Sequence, residues 1–277
     1  MNNESAAQLV LQLRNPLERE SVLRKLALMG QSAVDSLVSF LLSGPGPGNE
    51  HEPGCLAAEA LELIGGDDAL NGLFTALLTP LGLRDPVEEL QQEAVRDCIC
   101  HALQRMGDRR AVDPLLLALR KYRLVGAAEA LAYFGERRAI YLLVALLEDS
   151  FKRVRISDAI LKYGHDAAEE LMKTTGRKHM EDDSEILPSI ERRAESAKLL
   201  GLIGYGPAAP ELTQLLDDEQ EIVKLEAALS LAWIMKDHIP EKASKIINSA
   251  IHHPDLKTRL RVEEKLRLTK HRNEAYW

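Results

Sequence analysis

Aromatic residues make up only 4% of this 277-residue chain, and cysteine occurs three times, at Cys55, Cys98 and Cys100. Three cysteines cannot form the disulfide framework of a small secreted protein, so we expect small, buried or half-buried helix residues. Cys98 and Cys100 lie two positions apart on one predicted helix and point about 200° apart. They therefore do not share a metal ion.

Long hydrophobic runs are also missing. No uncharged apolar run approaches the ~20 residues that a transmembrane helix requires. A signal peptide begins with a basic segment that is followed by an apolar core. The first residues of this chain lack that pattern. No long stretch alternates Val, Ile, Thr or Tyr with polar residues, which excludes an extensive sheet. These absences predict an all-α protein in the cytoplasm, without membrane contact.

The chain does contain a repeat. The sequence from Met106 to Leu119 returns almost unchanged, 28 residues later, from Phe134 to Leu147. A short fixed period is typical of a solenoid, in which each unit buries its apolar face against its neighbours.

Each unit has an Ala-rich amphipathic run, a glycine turn and a Leu-rich run. Glycine suits the turn because it reaches a left-handed conformation without a Cβ clash. The first runs are Arg19–Met29, Cys55–Ile64, Glu93–Met106, Leu124–Phe134, Arg153–Tyr163, Arg192–Ile203 and Ile222–Met235. The glycines are Gly30, Gly65, Gly107, Gly135, Gly164 and Gly204. The pattern predicts stacked helix pairs.

This unit resembles a HEAT repeat of the short bacterial type, which also occurs in phycobilin-lyase subunits. The matching features are the Ala–Leu first helix, the turns Gly107–Ala111 and Gly135–Ala139, and the Leu-rich second helix. The resemblance covers residues 18–250. It implies a right-handed α-solenoid of about seven or eight helix pairs with a concave face of second helices. We expect one elongated domain over 1–277, capped by helices in 251–277.

Three stretches exceed the period: Ser43–Pro53, Thr79–Glu88 and Lys173–Ser189. Inserted loops in solenoids often gather on one face and carry binding. They can equally be tolerated excursions, because lengthening a loop costs little. The sequence leaves both interpretations open.

Charge is uneven along the chain. The net charge is −8, but residues 107–180 hold 14 Lys and Arg against 10 Asp and Glu, a net +4. Repeated positions lie side by side in a solenoid, so these cations predict a basic ridge that binds a partner: Arg109, Arg110, Arg137, Arg138, Lys152, Arg153 and Arg155. The alternative is a charge ladder between repeats, in which Arg109 pairs with Glu136.

No set of catalytic residues is apparent. The HEAT-repeat enzyme deoxyhypusine hydroxylase holds iron with His-Glu dyads, whereas here the only such pair is His51–Glu52, inside a Pro- and Gly-rich loop. His252 and His253 have no carboxylates at ligand spacing. We therefore predict no catalytic residue, no metal site and no cofactor.

The sequence favours a non-enzymatic scaffold or adaptor that binds a protein or peptide along the solenoid. If the basic ridge is the binding site, we expect that partner to be acidic. Nucleic acid is the less favoured partner because the whole chain is acidic. The alternatives are a nucleic-acid-binding protein similar to HEAT-like DNA glycosylases and a phycobilin-lyase-type subunit.

Overall fold

The structure, a computed structural model, describes residues 5–44, 50–82, 85–177, 185–236, 238–255, 259–260 and 262–263. These residues form α-helices joined by short 3₁₀ turns and loops, and contain no β-strand. The predicted all-α fold of paired helices is confirmed. The handedness and the number of pairs stay predictions.

The chain divides into two compact units, Met1–Ala139 and Ile140–Trp277, called unit 1 and unit 2 below. The helices of unit 1 are α1 (Ala6–Gln12), α2 (Arg19–Met29), α3 (Val34–Leu42), α4 (Glu52–Ile64), α5 (Gly66–Leu78), α6 (Pro86–Met106), α7 (Val112–Tyr122) and α8 (Val125–Phe134). Those of unit 2 are α9 (Ile140–Leu146), α10 (Arg153–Leu161), α11 (Ala168–Lys173), α12 (Leu187–Ile203), α13 (Ala209–Gln214), α14 (Glu221–Met235) and α15 (Glu241–Ile251). The expected single domain over 1–277 stays a prediction. Most of the predicted cap 251–277 lies outside the described residues.

The repeated turn motif has a clear local cause. Gly107 (φ 70°) and Gly135 (φ 67°) end α6 and α8 in the left-handed conformation. The acidic residue that follows accepts a hydrogen bond from a backbone N–H two residues on: Asp108 from Arg110 at 2.8 Å, Glu136 from Arg138 at 3.1 Å. Glycine thus stops one helix and the carboxylate caps the 3₁₀ turn that leads into the next.

Small residues allow successive first helices to approach closely. Gly126 on α8 donates its N–H to Asp97 Oδ1 on α6 at 2.8 Å, and a Cβ at Gly126 would lie 2.9 Å from Asp97 Cα. In unit 2, a Cβ at Gly201 on α12 would lie 2.8 Å from Ser230 Cα on α14. Fully buried alanines line these first helices, including Ala57, Ala58, Ala127, Ala128, Ala197 and Ala227.

An arginine at the start of a first helix caps the preceding second helix. Arg19 Nε donates to Leu13 O at 3.0 Å, after α1, and its guanidinium also binds Glu52 on α4. Arg153 Nε donates to Leu147 O at 2.7 Å, after α9, and Nη2 binds Glu191 on α12 at 2.6 Å. A cation is favoured there because the C-terminal carbonyls of a helix carry partial negative charge.

All three predicted insertions are partly helical, and the first of them contributes Glu52 and Pro53 to α4. Helix α6 begins at Pro86, since Asp85 accepts hydrogen bonds from Val87 N and Glu88 N and proline suits a first helical position. Helix α12 begins at Leu187, followed by Pro188. Both first helices are therefore longer than the Ala-rich pattern indicated. Residues 45–49, 83–84 and 178–184 of the three insertions lie outside the described residues.

One stretch, Arg19–Leu42, has the length and hydropathy of a membrane span. Gly30, with a φ of 59°, divides this stretch into α2 and α3. The side chains of Val22, Leu26 and Leu37 are buried inside unit 1. A core helix of a soluble protein passes the same test, so the stretch is weak evidence for a membrane span.

Candidate partner-binding surfaces

Arg110 and Arg138 of the predicted ridge take part in a regular arrangement at successive turns of unit 1. Arg110 Nη2 binds Asp108 in its own turn at 2.6 Å and Asp67 at the start of α5 at 2.8 Å. Arg138 binds Glu136 in its own turn at 2.9 Å and Asp113 in the first turn of α7 at 3.0 Å. We call these six residues, Asp67, Asp108, Arg110, Asp113, Glu136 and Arg138, the turn ladder.

The turn ladder neutralises its charges locally. Hydrogen bonds from Arg110 lower the pKa of Asp108, and hydrogen bonds to Asp108 and Asp67 raise the pKa of Arg110. Arg138 lowers the pKa of Glu136 in the same way. The Arg110 and Arg138 side chains remain 58% and 61% exposed. The ladder is therefore a reachable surface, but its arginines already have carboxylate partners.

Arg109 and Arg137 also make contacts within the chain. Arg109 Nη2 donates to Phe134 O, the last carbonyl of α8, at 3.1 Å, and Arg137 has interaction partners as well. The charge-ladder alternative predicted a pair between Arg109 and Glu136. Arg109 binds that backbone carbonyl, and its positive charge also helps to lower the pKa of Glu136.

Lys152, Arg153 and Arg155 lie elsewhere in the repeat. They surround the start of α10 in unit 2, not a glycine turn. Arg153 is mostly buried by its contacts with Leu147 O and Glu191, whereas Arg155 is exposed. The structure thus places the seven predicted residues in two groups, one in each unit.

Unit 2 contains an open groove of about 1290 Å³ between α12, α14 and α15. Its apolar lining includes Ala194, Leu216, Ile222, Leu225, Ile246 and Ala250. Sequence reasoning missed this groove and placed the partner along second helices, whereas the groove uses the first helices α12 and α14. The spacing of Ile222 and Leu225 was visible, but which face they lined depended on how α15 packs.

Charges of both signs surround the apolar lining. Arg153 pairs with Glu191 at 2.6 Å, Lys224 with Glu221 at 2.5 Å, and Lys242 with Asp217. The Lys242–Asp217 pair joins α15 to the turn before α14. The groove therefore offers an apolar strip flanked by paired charges, which suits a segment with apolar and charged residues.

A buried ionic network holds both ends of the Lys173–Ser189 insertion. Arg193, whose side chain is 2% exposed, binds Glu185 at 2.7 Å, Asp218, and Thr175 O at 2.7 Å. Arg192 binds Glu148 at 2.6 Å and donates to Gly176 O at 3.0 Å. The flanks of the insertion are thus part of the core of unit 2. Residues 178–184 between them lie outside the described residues.

His51 and His253, which were considered as metal ligands, make hydrogen bonds within the chain. His51 Nδ1 lies 2.8 Å from Gln91 Oε1, and Glu52 pairs with Arg19. His253 Nδ1 accepts a hydrogen bond from Asp255 N at 3.1 Å. Within the described ranges, no group of three or more His, Cys, Asp or Glu side chains could hold a metal ion.

The cysteines correct an expectation. Cys55 on α4 and Cys98 on α6 form a disulfide, with Cα atoms 5.3 Å apart. Treating all three cysteines as simple helix residues was therefore wrong for this pair. Cys100 does match, since it is fully buried, and burial raises the pKa of its thiol. The pairing of Cys55 with Cys98 depends on how α4 packs against α6. The spacing of the two cysteines in the sequence does not reveal that packing.

Residues 124–149, from the residue before α8 to the residues after α9, match the family described as the PBS lyase HEAT-like repeat. Over these residues the chain is similar to that repeat family. The resemblance inferred from the Gly107 and Gly135 turns is confirmed. No curated protein matches the sequence significantly.

Two solved structures are similar to this chain. The complex of CpcE and CpcF of phycocyanin lyase from Nostoc sp. PCC7120 is 20% identical, with a TM-score of 0.40, over 90% of this chain and 94% of that one. Human deoxyhypusine hydroxylase in complex with glycerol is 19% identical, with a TM-score of 0.34, over 96% and 95%. Likenesses this distant carry no argument about function.

Proposed function

We propose that this protein is a non-enzymatic cytoplasmic scaffold or adaptor whose unit 2 groove binds a segment of a protein partner. The groove supports the proposal, since about 1290 Å³ of open space runs along helix faces instead of forming a closed pocket. Ile222 and Ile246 are partly exposed on its lining. Apolar side chains between charged groups are the usual composition of a protein interface.

The charged rim defines the expected partner. The groove is lined by the acidic and basic side chains of Glu191, Glu221, Asp217, Arg153, Lys224 and Lys242. Such a rim orients a bound segment more than it strengthens binding, because each charge already has an opposite charge beside it. We therefore expect a partner segment with apolar anchors and charges of both signs.

The test compares substitutions inside and outside the groove. The full chain and the variants Ile222→Asp and Ile246→Asp serve as bait in quantitative affinity purification from a cytosolic extract. Leu28→Asp is the matched control, because Leu28 lies on α2 of unit 1 and is 88% exposed. We expect one set of proteins to be retained by the parent and the control and lost from both groove variants. Equal retention by the groove variants contradicts the groove as the binding site.

The basic ridge remains part of the proposal as a second contact with an acidic segment. Arg110 and Arg138 could take a partner's carboxylates in place of Asp67 and Asp113, since those pairs are exposed and weakly held. Nucleic acid is the alternative ligand for the same cations. Excess duplex DNA or single-stranded RNA displaces a nucleic-acid ligand and leaves a protein ligand bound, which separates the two.

A phycobilin-lyase-type subunit is the second candidate function. Only the match of residues 124–149 to the PBS lyase HEAT-like repeat favours it. It predicts that a linear tetrapyrrole added to the protein changes its visible absorption on binding. An unchanged spectrum at micromolar protein and ligand contradicts this candidate and leaves the scaffold proposal intact.

A further inference from the structure

The disulfide between Cys55 and Cys98 joins two neighbouring first helices of unit 1. Cys55 lies in the first turn of α4 and Cys98 lies in the second half of α6, 43 residues later. Both residues are partly exposed at the surface of unit 1. This accessibility distinguishes the pair from Cys100, which is enclosed in the core.

Polar side chains also join α4 to α6 on both sides of the bond. His51 and Gln91 make a 2.8 Å hydrogen bond on one side of it, and Glu62 binds Arg105 at 2.6 Å on the other. Cys55 Sγ also lies 3.9 Å from Ala94 O, which can accept the hydrogen of a reduced thiol. The two helices can therefore keep their register with the cysteines oxidised or reduced.

The neighbouring helix pair shows that repeats stack without a covalent link. Between α6 and α8, Asp97 Oδ1 accepts from Gly126 N at 2.8 Å, and His101 Nε2 lies 2.8 Å from Glu129 Oε2. In unit 2, Ser157 donates to Glu195 at 2.9 Å between α10 and α12. The disulfide is thus an addition to a contact that other repeats make with polar side chains.

We propose that Cys55 and Cys98 form a reversible redox clasp between α4 and α6, opened by small thiols and closed by small disulfides. This inference rests on the cytoplasmic location in the proposed function, but not on the groove or its partner. Disulfides within cytosolic proteins are generally transient or redox-sensing. A partly exposed pair that its surroundings do not require is suited to that use.

The exchange balances with two thiol molecules. The thiolate of the first attacks Cys98 Sγ, the bond between the two protein sulfurs breaks, and Cys55 leaves as a thiolate. The amino-terminal end of α4 favours this anion before it takes up a proton. A second thiol then displaces Cys98 from the mixed disulfide. The protein gains two electrons and two protons, and the two thiols become one disulfide. Closing is the reverse, with the small disulfide as oxidant.

Cys100 does not compete in this exchange. Only one residue separates it from Cys98, but it is fully buried, and desolvation raises the pKa of its thiol. A neutral thiol without access to solvent reacts slowly. The clasp should therefore form with one defined pairing.

The first experiment uses the folded full chain. The protein is incubated in native buffer with excess oxidised glutathione or with dithiothreitol, quenched with acid, and labelled with a maleimide in denaturant. Intact mass counts the labels, and peptide mapping locates them. We expect one label, at Cys100, after oxidation and three labels after reduction. A bond that never forms, forms with Cys100, or opens only when guanidinium is present during the reduction overturns the proposal.

The second experiment measures what the clasp does. Closing a 43-residue loop restricts the unfolded chain, so oxidation should raise Tm by an amount on the order of 10 °C. The comparison uses Cys100→Ala, which retains the clasp, and Cys55→Ser, which cannot form it. We expect Cys100→Ala to show the redox-dependent shift in Tm and Cys55→Ser to show none. An equal shift in both variants, or no shift in Cys100→Ala, contradicts a clasp.

Discussion

Unit 1 and unit 2 are built from similar helix pairs but use their charges differently. In unit 1 the turn ladder lies at the surface, where Arg110 and Arg138 are more than half exposed. In unit 2 the buried Arg192 and Arg193 bind the partly exposed Glu148 and the buried Glu185, respectively. An exposed pair contributes little because water screens it, whereas removing one member of a buried pair leaves an uncompensated charge.

We expect the same substitution in the apolar cores of the two units to reduce the stability of the fold to a similar extent. Leu115 on α7 and Leu143 on α9 occupy the same position in successive copies of the repeat and are both 0% exposed. We expect Leu115→Asp and Leu143→Asp each to destabilise the folded chain by about 4 kcal/mol or more, since each buries an unpaired charge. Urea unfolding measured by circular dichroism tests this. A large effect in only one unit would show that the cores are not equivalent.

The buried arginine of unit 2 should have the next largest effect. Arg193→Met removes the guanidinium from Glu185, Asp218 and Thr175 O. We expect a loss of about 3–5 kcal/mol in the free energy of unfolding, because two buried carboxylates lose their partner. Arg138→Met in the turn ladder is the matched control, with a much smaller change expected in the same urea titration. Similar changes for both variants would remove the contrast between the units.

Reversing the charges of the turn ladder should affect binding more than stability. The double variant Arg110→Glu, Arg138→Glu replaces two exposed pairs with like charges beside Asp67, Asp108, Asp113 and Glu136. We expect only a small decrease in the urea midpoint. This decrease should be larger at low salt, where repulsion between the like charges is screened less. Partner retention in the affinity purification should fall if the ridge binds an acidic segment. Unchanged retention would identify the ladder as a structural contact only.

The smallest expected effect is a pH dependence confined to the ladder. Hydrogen bonds from Arg110 and Arg138 hold the pKa values of Asp108 and Glu136 below their ordinary values of 3.8 and 4.5. Their stabilisation is complete above those values and is lost as pH falls through the lower folded pKa values. Replacing both arginines with Gln should weaken the dependence of the urea midpoint on pH between about pH 5 and pH 3. An identical pH profile in parent and variant contradicts this assignment.

Much of the helical framework could be predicted because its causes are local. The predicted run Arg19–Met29 is α2, and the predicted turns at Gly107 and Gly135 contain left-handed glycines. The starts of α6 and α12 were predicted too late. Those helices begin at Pro86 and Leu187, several residues before the Ala-rich pattern starts.

The candidate sites were less predictable. The repeat predicts recurring cations at Arg110 and Arg138, but the carboxylates that bind them include Asp67, 43 residues from Arg110. The groove was missed because Ile222 and Ile246 belong to different helices, α14 and α15. Similarity between copies identifies equivalent positions and does not show which distant side chains meet.

By itself, the sequence determined the repeat, the alternation of Ala-rich and Leu-rich helices and the glycine turns. These follow from apolar periodicity and from backbone preferences that act over a few residues. Only the tertiary structure decided that Cys55 bonds to Cys98, that Arg193 is buried against Asp218, and that unit 2 has an open groove. Each of these depends on the distance between helices that are far apart in the chain, and that distance is set by how their side chains pack.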